Sequence, residues 1–229
     1  MANYYEEIIE RLSSLAESDY KKFNAKIVNT ALPVIGVRTP IMRKIADEIF
    51  LTDKYGYIDN CKFNYFEDVF IYGLVIAKFD YDEMLKYLPV YLDKVDSWAH
   101  IDSFVPSIKC VNKNKEKFFQ LIKSEILTAK GFYLRFLIVS LMDFYLDEGR
   151  LDYVFSTCEK VDGRGYYSDM AIAWLISVAY VKFKDKTFDF IKNCNLTDFT
   201  LNKAISKIKD SFRVTRENKI LLQNFIRKK

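Results

Sequence analysis

Apolar side chains recur along the chain at the three- and four-residue spacing of amphipathic helices. Only seven Gly and four Pro interrupt the pattern, which favours long helices with short connections. Thr39 is predicted to cap the third helix, with Pro40 at its first position, and residues 52–64 are predicted as turns. The predicted helices span about 3–17, 19–30, 40–50, 66–79, 82–93, 96–111, 115–128, 131–146, 166–183, 184–193, 197–212 and 214–228.

Five of these helices differ from the others, because four of them are almost wholly apolar or carry a tryptophan and one is basic. They begin near residues 66, 97, 131, 166 and 199, so successive steps are 31, 34, 35 and 33 residues. A repeat of this length, with two helices per step, is typical of an α-solenoid. The predicted fold is therefore all-α: a single domain over residues 1–229, built as an α-solenoid of about 12–13 helices that curves around a concave cleft.

One acidic residue interrupts the apolar stripe of the helix predicted at 96–111. Asp102 lies on the same helical face as Trp98, four residues earlier. A carboxylate in this position is costly unless it is paired, hydrogen-bonded or exposed in a cleft. Asp102 is therefore either a functional residue or a structural one that caps a neighbouring helix or pairs with a buried arginine. Trp98 is likewise either a functional residue or part of the core. The apolar members of the stripe are Val95, Trp98, Ile101, Val105 and Ile108.

Two other residues of this stretch have structural interpretations. His100 lies on the far side of the helix from Trp98, so it is predicted to be structural or on the surface. Pro106 lacks the amide that would bond the carbonyl of Asp102, so a helix that continued through it would kink there.

The most apolar helix, predicted at 131–146, contains a single basic residue. Arg135 lines up with apolar side chains, and a guanidinium that is always charged must find an anion there. In the structural interpretation, that anion is a carboxylate of the core. In the functional interpretation, Arg135 binds a phosphate or orients Asp102. Trp174, in the middle of the helix predicted at 166–183, is assigned to the core on pattern alone.

The net charge of +4 hides a basic C-terminal quarter. Residues 182–229 hold 13 Lys and Arg against 5 Asp and Glu, whereas the rest of the chain holds 22 against 26. This asymmetry indicates either a polyanionic partner or a well-solvated surface. In the basic helix predicted at 197–212, Lys203 and Lys207 lie opposite a predicted core stripe, and Arg213 lies on one flank. That stripe is formed by Leu201, Ile205, Ile208 and Phe212.

Several classes of protein are disfavoured by composition. No apolar run approaches the length of about 18 residues that a transmembrane helix needs, and the N-terminus lacks the basic and apolar regions of a secretory signal. Four widely spaced cysteines and one histidine argue against a zinc site and a disulfide framework, so a reducing, intracellular compartment is expected.

Five segments, in order along essentially the whole chain, resemble the AlkD-like family of DNA alkylation repair enzymes, the HEAT-like-repeat DNA glycosylases. The resemblance implies a solenoid of HEAT-like repeats that excises cationic N3- and N7-alkylated purines from duplex DNA without extruding the base into a pocket. The segments are Ile35–Pro40 (IGVRTP), Val95–Phe104 (VDSWAHIDSF), Tyr133–Phe136 (YLRF), Ala171–Leu175 (AIAWL) and Asn202–Ser211 (NKAISKIKDS).

The same resemblance assigns roles to individual residues. Asp102 would stabilise the cation that develops at the sugar, Trp98 and Trp174 would offer aromatic faces to the cationic lesion, and Arg135 would hold a phosphate. It implies no cofactor and no metal, a monomer in the cytoplasm (nucleoid-associated in a bacterium when bound to DNA), no membrane association, and double-stranded DNA with alkylated purines as partner. The predicted DNA-binding residues are Arg38, Arg43, Lys44, Arg164, Lys203, Lys207 and Arg213.

The sequence departs from the family pattern at three positions. Ala99 replaces an aspartate that follows the tryptophan in the best-matched active members, and Ser168 and Asp169 stand where those members carry basic residues. Two alternatives to a glycosylase therefore stay open. One is a catalytically silent DNA-binding protein that recognises damaged or branched DNA, and the other is a protein-interaction scaffold, a common use of α-solenoids.

Overall fold

A computed structural model describes residues 4–227, and these residues form fourteen α-helices and no strand. The chain divides into two compact units, residues 1–114 and 115–229. The first contains α1 (Tyr4–Ser14), α2 (Ser18–Val28), α3 (Thr39–Thr52), α4 (Lys54–Asn60), α5 (Phe66–Ile76), α6 (Tyr81–Lys94) and α7 (Trp98–Phe104). The second contains α8 (Lys115–Glu125), α9 (Gly131–Phe144), α10 (Leu151–Val161), α11 (Tyr166–Lys182), α12 (Lys184–Asn193), α13 (Asp198–Asp210) and α14 (Arg216–Gln223).

The all-helical prediction is confirmed, and the order of helices is compatible with a helical-repeat solenoid. The five helices that defined the repeat begin at residues 66, 98, 131, 166 and 198, each within one residue of the position from which the 31- to 35-residue steps were taken. Residue 3 of the first predicted helix and residue 228 of the last lie outside the described residues.

The sequence pattern missed two helices. The segment predicted as turns at 52–64 contains α4, whose start is capped by the Asp53 carboxylate through the amide of Gly56. Helix α10 was also not predicted. In α4 the turn signal of Gly56 and Asn60 outweighed the apolar spacing, whereas α10 has buried residues at helical spacing that were available in the sequence. The cap of α3 was misplaced by one residue, because Arg38 rather than Thr39 holds the N-cap position and provides no side-chain hydrogen bond.

Helix α7 is shorter than predicted, because it ends at Phe104 instead of continuing to residue 111. A 3-10 turn follows at Val105–Ser107 and contains Pro106 in its first turn. Proline cannot donate the next helical hydrogen bond and its ring crowds the preceding turn, so it ends the helix instead of kinking it. A second 3-10 turn covers Cys110–Lys113.

Helix α5 is the centre of the N-terminal unit, as its apolar pattern predicted. All eleven of its residues are buried, and it packs against α3, α6 and α7. Gly73 permits a close approach on one side, because a Cβ at this position would lie 2.7 Å from the ring of Tyr91. That ring in turn packs against Phe104 of α7, with ring centroids 4.7 Å apart.

The loop before α3 is held in place by the first turn of α5. The buried carboxylate of Glu67 accepts hydrogen bonds from the amides of Ile35, Gly36 and Val37, at 2.9, 2.8 and 3.3 Å. Gly36 has a φ of +103°, and a Cβ there would come within 2.6 Å of the Lys21 side chain, so glycine is required. These contacts account for the conformation of the IGVRTP segment.

The core of the C-terminal unit is formed by α9 and α11, which pack against each other, and α11 also packs against α13. Both helices are buried over most of their length, in agreement with their apolar patterns. One residue of the predicted α13 core stripe is wrongly placed. Phe212 is fully exposed, because α13 ends at Asp210 and the helical period does not extend to residue 212.

Candidate functional site

Helix α7 is anchored at its first turn to the end of α2. Ser97 caps α7 by accepting a hydrogen bond from the amide of Ala99 at 3.3 Å, and its hydroxyl donates to the carbonyl of Val28 at 2.5 Å. The indole N–H of Trp98 donates to the carbonyl of Ile27 at 3.2 Å. Both carbonyls belong to the last turn of α2, whose C=O groups have no partner within that helix. The position and tilt of α7 are therefore set by α2.

The partly exposed Asp96 and the buried His100 support the same junction. Asp96 accepts hydrogen bonds from the Thr30 hydroxyl at 2.6 Å and the Ala31 amide at 2.8 Å. Its other oxygen lies 3.7 Å from Nδ1 of His100, whose Nε2 lies 3.1 Å from the carbonyl of Phe66. His100 is only 1% exposed, so the structural interpretation holds and a surface position is ruled out. Burial is the main cause that lowers the pKa of His100, to about 4, and the Asp96 charge opposes it.

The buried His100 predicts a stability that falls in mild acid. The pKa of His100 in the folded state is about 4, below the ordinary value of 6.5. Between pH 6.5 and pH 4 the histidine is therefore protonated in the unfolded chain but neutral in the folded chain. Stability is thus expected to fall as the pH drops from about 6.5 towards 4, by at most about 1.4 kcal/mol per pH unit from this group. His100→Gln, which keeps a donor for the Phe66 carbonyl, is expected to lack this component.

Urea unfolding of both proteins at several pH values measures the effect. The difference in unfolding free energy between wild type and His100→Gln should shrink on acidification, since all other titrating groups are common to both. A difference that stays constant from neutral pH to pH 4 would contradict the assignment.

Trp98 and Asp102 are separated by one turn of α7, and both side chains are partly exposed. The apolar residues between them, Ala99 and Ile101, point into the core. The pKa of the buried Tyr91 phenol is raised well above its usual value, first by burial and then by the charge of Asp102. The α7 helix therefore presents an indole and a carboxylate side by side on one face, as the sequence period predicted.

Arg135 and Trp174 lie in the C-terminal unit. Arg135 is 5% exposed, and its guanidinium donates to the carbonyl of Tyr167 at 2.7 Å, so a backbone carbonyl of α11 is one of its partners. Trp174 is partly exposed on α11, whereas its pattern alone had assigned it to the core. The convergence of these two residues with Trp98 and Asp102 in one cleft stays a prediction.

The predicted DNA-binding cations of the N-terminal unit are all exposed. Arg38 forms a two-pronged ion pair with Glu17 at 2.7 and 2.8 Å, whereas Arg43 donates to the Ser107 hydroxyl at 3.0 Å. Lys44 lies next to it on α3. Arg43 also lines a cavity of about 720 Å³ together with Lys109 and Lys113, which sequence reasoning did not single out. Their four-residue spacing just after α7 is the signal that was available.

The predicted cations of the C-terminal unit differ in how strongly the protein engages them. Both ends of the Arg164 guanidinium donate to backbone carbonyls, of Leu127 at 2.6 Å and Lys160 at 3.1 Å. Lys203 is exposed on α13, near the Phe199 ring. Lys207 and Arg213 line one cavity of about 190 Å³, together with Lys182, which sequence reasoning also missed.

Ser168 and Asp169, which stand where the active family members carry basic residues, are both buried at the start of α11. Ser168 donates to the carbonyl of Gly165 at 2.8 Å, and the Asp169 carboxylate accepts from the amide of Gly163 at 3.0 Å. Burial, followed by the charge of Asp162, raises the pKa of Asp169. These side chains shape the turn before α11 and are not presented to a ligand.

Within residues 4–227, no group of three or more His, Cys, Asp or Glu side chains is arranged to hold a metal ion. Across the same part of the chain, no helix combines the length and the apolar character needed to cross a bilayer.

Fold and site together define a helical-repeat protein with an indole–carboxylate pair on one short helix and exposed cations in both units. The chain belongs to the DNA alkylation repair enzyme family, whose family model matches residues 8–208. The resemblance drawn from the five sequence segments is thereby confirmed. No match was found among curated proteins. Membership of the family indicates a role in the repair of alkylated DNA and an interaction with DNA.

Proposed function

We propose that the protein is a DNA glycosylase that hydrolyses the N-glycosidic bond of cationic N3- and N7-alkylated purines in duplex DNA. The observation that carries this proposal is the Trp98–Asp102 pair, one turn apart and partly exposed on α7, in a chain of the DNA alkylation repair enzyme family. The anchoring of α7 to α2 supports it, because a catalytic carboxylate must be held in a fixed position before the reaction begins.

The chemistry needs little from the protein beyond a well-placed negative charge. An alkylated purine already carries a formal positive charge, so it leaves with the electron pair of the bond between its nitrogen and C1′ of the sugar. The sugar becomes a cation of oxocarbenium character, which the Asp102 carboxylate would stabilise. Water then adds to C1′ and loses a proton, and an abasic site remains. Asp102 would also orient this water.

The aromatic and cationic residues would bind rather than react. Trp98 offers an electron-rich face to the cationic base or sugar, and Trp174 would do the same from α11, each with about 0.5–2 kcal/mol of cation–π stabilisation. Arg135 would hold a phosphate of the duplex. Exposed cations of both units would hold the duplex by its backbone, as a monomer on double-stranded DNA.

Incubation with methylated duplex DNA tests the proposal. Wild-type protein is expected to release 7-methylguanine or 3-methyladenine, detected by mass spectrometry, and to leave an equal number of abasic sites in the duplex. Release of an alkylated base without cleavage of the strand identifies a monofunctional glycosylase. DNA binding that weakens steeply with salt, but without release, would favour the catalytically silent DNA-binding protein. Absence of binding at low salt would favour an interaction scaffold.

One observation favours the silent DNA-binding protein as the second candidate. Ser168 and Asp169 occupy positions at which the active family members that the sequence resembles carry basic residues, and both are buried in the first turn of α11. Fewer phosphate contacts would weaken the grip on the duplex near Trp174. The amount of alkylated base released per mole of protein distinguishes the two candidates, because only the glycosylase releases base.

Replacing Trp98 tests the aromatic contribution. Trp98→Ala is expected to reduce the rate of base release by a factor of about 2–30, which corresponds to the loss of one cation–π contact. Trp98→Phe should recover part of the rate, because a phenyl ring is a weaker cation–π partner. Phe23→Ala, which removes an exposed aromatic ring from the same unit, is the matched control and should release base at the wild-type rate. Equal rates for wild type and Trp98→Ala would exclude the indole from the site.

A further inference from the structure

Phe212 is a large apolar side chain that is not packed against the rest of the protein. It lies in the loop between α13 and α14 and is fully exposed, more so than any other large hydrophobic residue of the described chain. A single exposed ring is common on protein surfaces, so its meaning depends on the groups that lie next to it. The charged neighbours along residues 209–217 are three basic side chains, Lys209, Arg213 and Arg216, and two acidic ones, Asp210 and Glu217.

The two residues that flank Phe212 along the chain, Ser211 and Arg213, line a basic cavity. Its lining combines the end of α11 with the end of α13 and the following loop, and it has a volume of about 190 Å³. This is smaller than the ~300–1,000 Å³ of pockets that enclose a drug-sized ligand, and suits a single phosphate group. The lining residues are Ser177, Val178, Val181, Lys182, Lys207, Ser211 and Arg213.

The three cations of the cavity are available to an anion. Among residues 4–227, the structure shows no ion pair for Lys182, Lys207 or Arg213, although lysines elsewhere in the same unit are paired, such as Lys192 with Asp189. The hydroxyl of Ser211 accepts from the amide of Arg213 at 3.2 Å, which fixes the turn that carries Phe212. Unpaired cations that line one cavity are the donors that bind phosphate oxygens, whereas the Ser177 hydroxyl already donates to the carbonyl of Trp174 at 2.7 Å.

We propose that this cavity, the Lys182 cavity, seats a backbone phosphate of duplex DNA and that Phe212 inserts beside it as a wedge against a base step. This inference rests on the proposed function for its ligand, and goes beyond it by naming a second contact, outside the Trp98–Asp102 site. A phosphate held next to an apolar side chain places that side chain at the groove edge, where insertion between stacked bases opens the step. The ring would gain by stacking on a base, which is insensitive to sequence.

Charge and ring make separable contributions to binding, and fluorescence anisotropy with a short unmodified duplex measures both. Phe212→Ala is expected to weaken binding about tenfold with an unchanged salt dependence, because the ring is neutral. Lys207→Ala combined with Arg213→Ala should lower the slope of log Kd against log salt by roughly 1, the value for one phosphate contact. Phe212→Trp should bind as well as wild type.

Matched controls come from the same chain. Leu51→Ala removes another strongly exposed apolar side chain, and Lys186→Ala removes a lysine that lines an acidic groove with Asp152, Glu159 and Asp189. Neither should change affinity or slope. A duplex with 2-aminopurine at the centre reports the wedge directly, because its fluorescence rises when the base unstacks. It should rise with wild type and stay low with Phe212→Ala.

The outcomes separate this inference from the proposed glycosylase activity. Equal affinity of wild type and Phe212→Ala would overturn the wedge even if alkylated base is released. DNA binding with all the expected variant effects, but without base release, would uphold the Lys182 cavity and overturn only the glycosylase. If Phe212→Ala instead loses binding to phosphatidylserine vesicles and keeps its affinity for the duplex, the segment contacts a lipid surface and the inference fails. A wild type that binds no duplex at low salt overturns both.

Discussion

Asp102→Asn is expected to reduce the release of alkylated bases by a factor of about 100–1,000, while binding to the duplex persists. The substitution keeps the size of the side chain and removes its negative charge, so the cation that develops at the sugar loses its stabilising partner. Removing one preorganised electrostatic contact of this kind costs about 2.7–4 kcal/mol in other enzymes. Binding should be equal or slightly tighter, because the variant repels phosphates less.

Single-turnover release of 7-methylguanine, with anisotropy on the same duplex, measures the two effects. Asp93→Asn is the matched control, since it removes an exposed carboxylate of α6 in the same unit and should release base at the wild-type rate. Unfolding in urea verifies that the Asp102 variant is folded. Release at the wild-type rate by Asp102→Asn would refute the assigned role of this carboxylate. If the variant loses both base release and duplex binding, Asp102 acts in DNA binding instead.

Glu67→Gln is expected to produce the largest loss of stability, about 3–5 kcal/mol of unfolding free energy. The buried carboxylate accepts three backbone amides of the loop before α3, and hydrogen bonds to a charged acceptor contribute about 1.5–3 kcal/mol each. Glutamine keeps the size of the side chain, but its amino group points a donor at amides that are also donors. At least one amide of Ile35–Val37 then lies buried without an acceptor.

Urea unfolding followed by circular dichroism gives the free energy. Glu7→Gln, at an exposed position of α1, is the control for the loss of one carboxylate and should change stability by less than about 0.5 kcal/mol. A loss below about 1 kcal/mol for Glu67→Gln would show that the loop finds other acceptors. Base release by the folded fraction should persist, because Glu67 is buried and takes no part in the proposed chemistry.

The helices of this protein follow from local side-chain spacing, whereas the contacts between them depend on residues far apart along the chain. The pattern of apolar, tryptophan-bearing and basic helices located the starts of five helices within one residue, because the apolar pattern of a helix depends on the residues of that helix alone. The helical period placed Trp98 and Asp102 on one face. Phe212 was misassigned for the same reason, since a period extended past the end of α13 no longer describes the backbone.

By itself, the sequence determined that the protein is all-helical, that its helices repeat, and that a carboxylate and an indole share a face of α7. These are consequences of side-chain spacing within one helix. Only the tertiary structure decided that α2 anchors α7, that Glu67 holds the loop at Ile35–Val37, and that Phe212 stands in solvent beside the Lys182 cavity. Such contacts join residues that are far apart along the chain, and their geometry depends on how helices pack rather than on the period of any one of them.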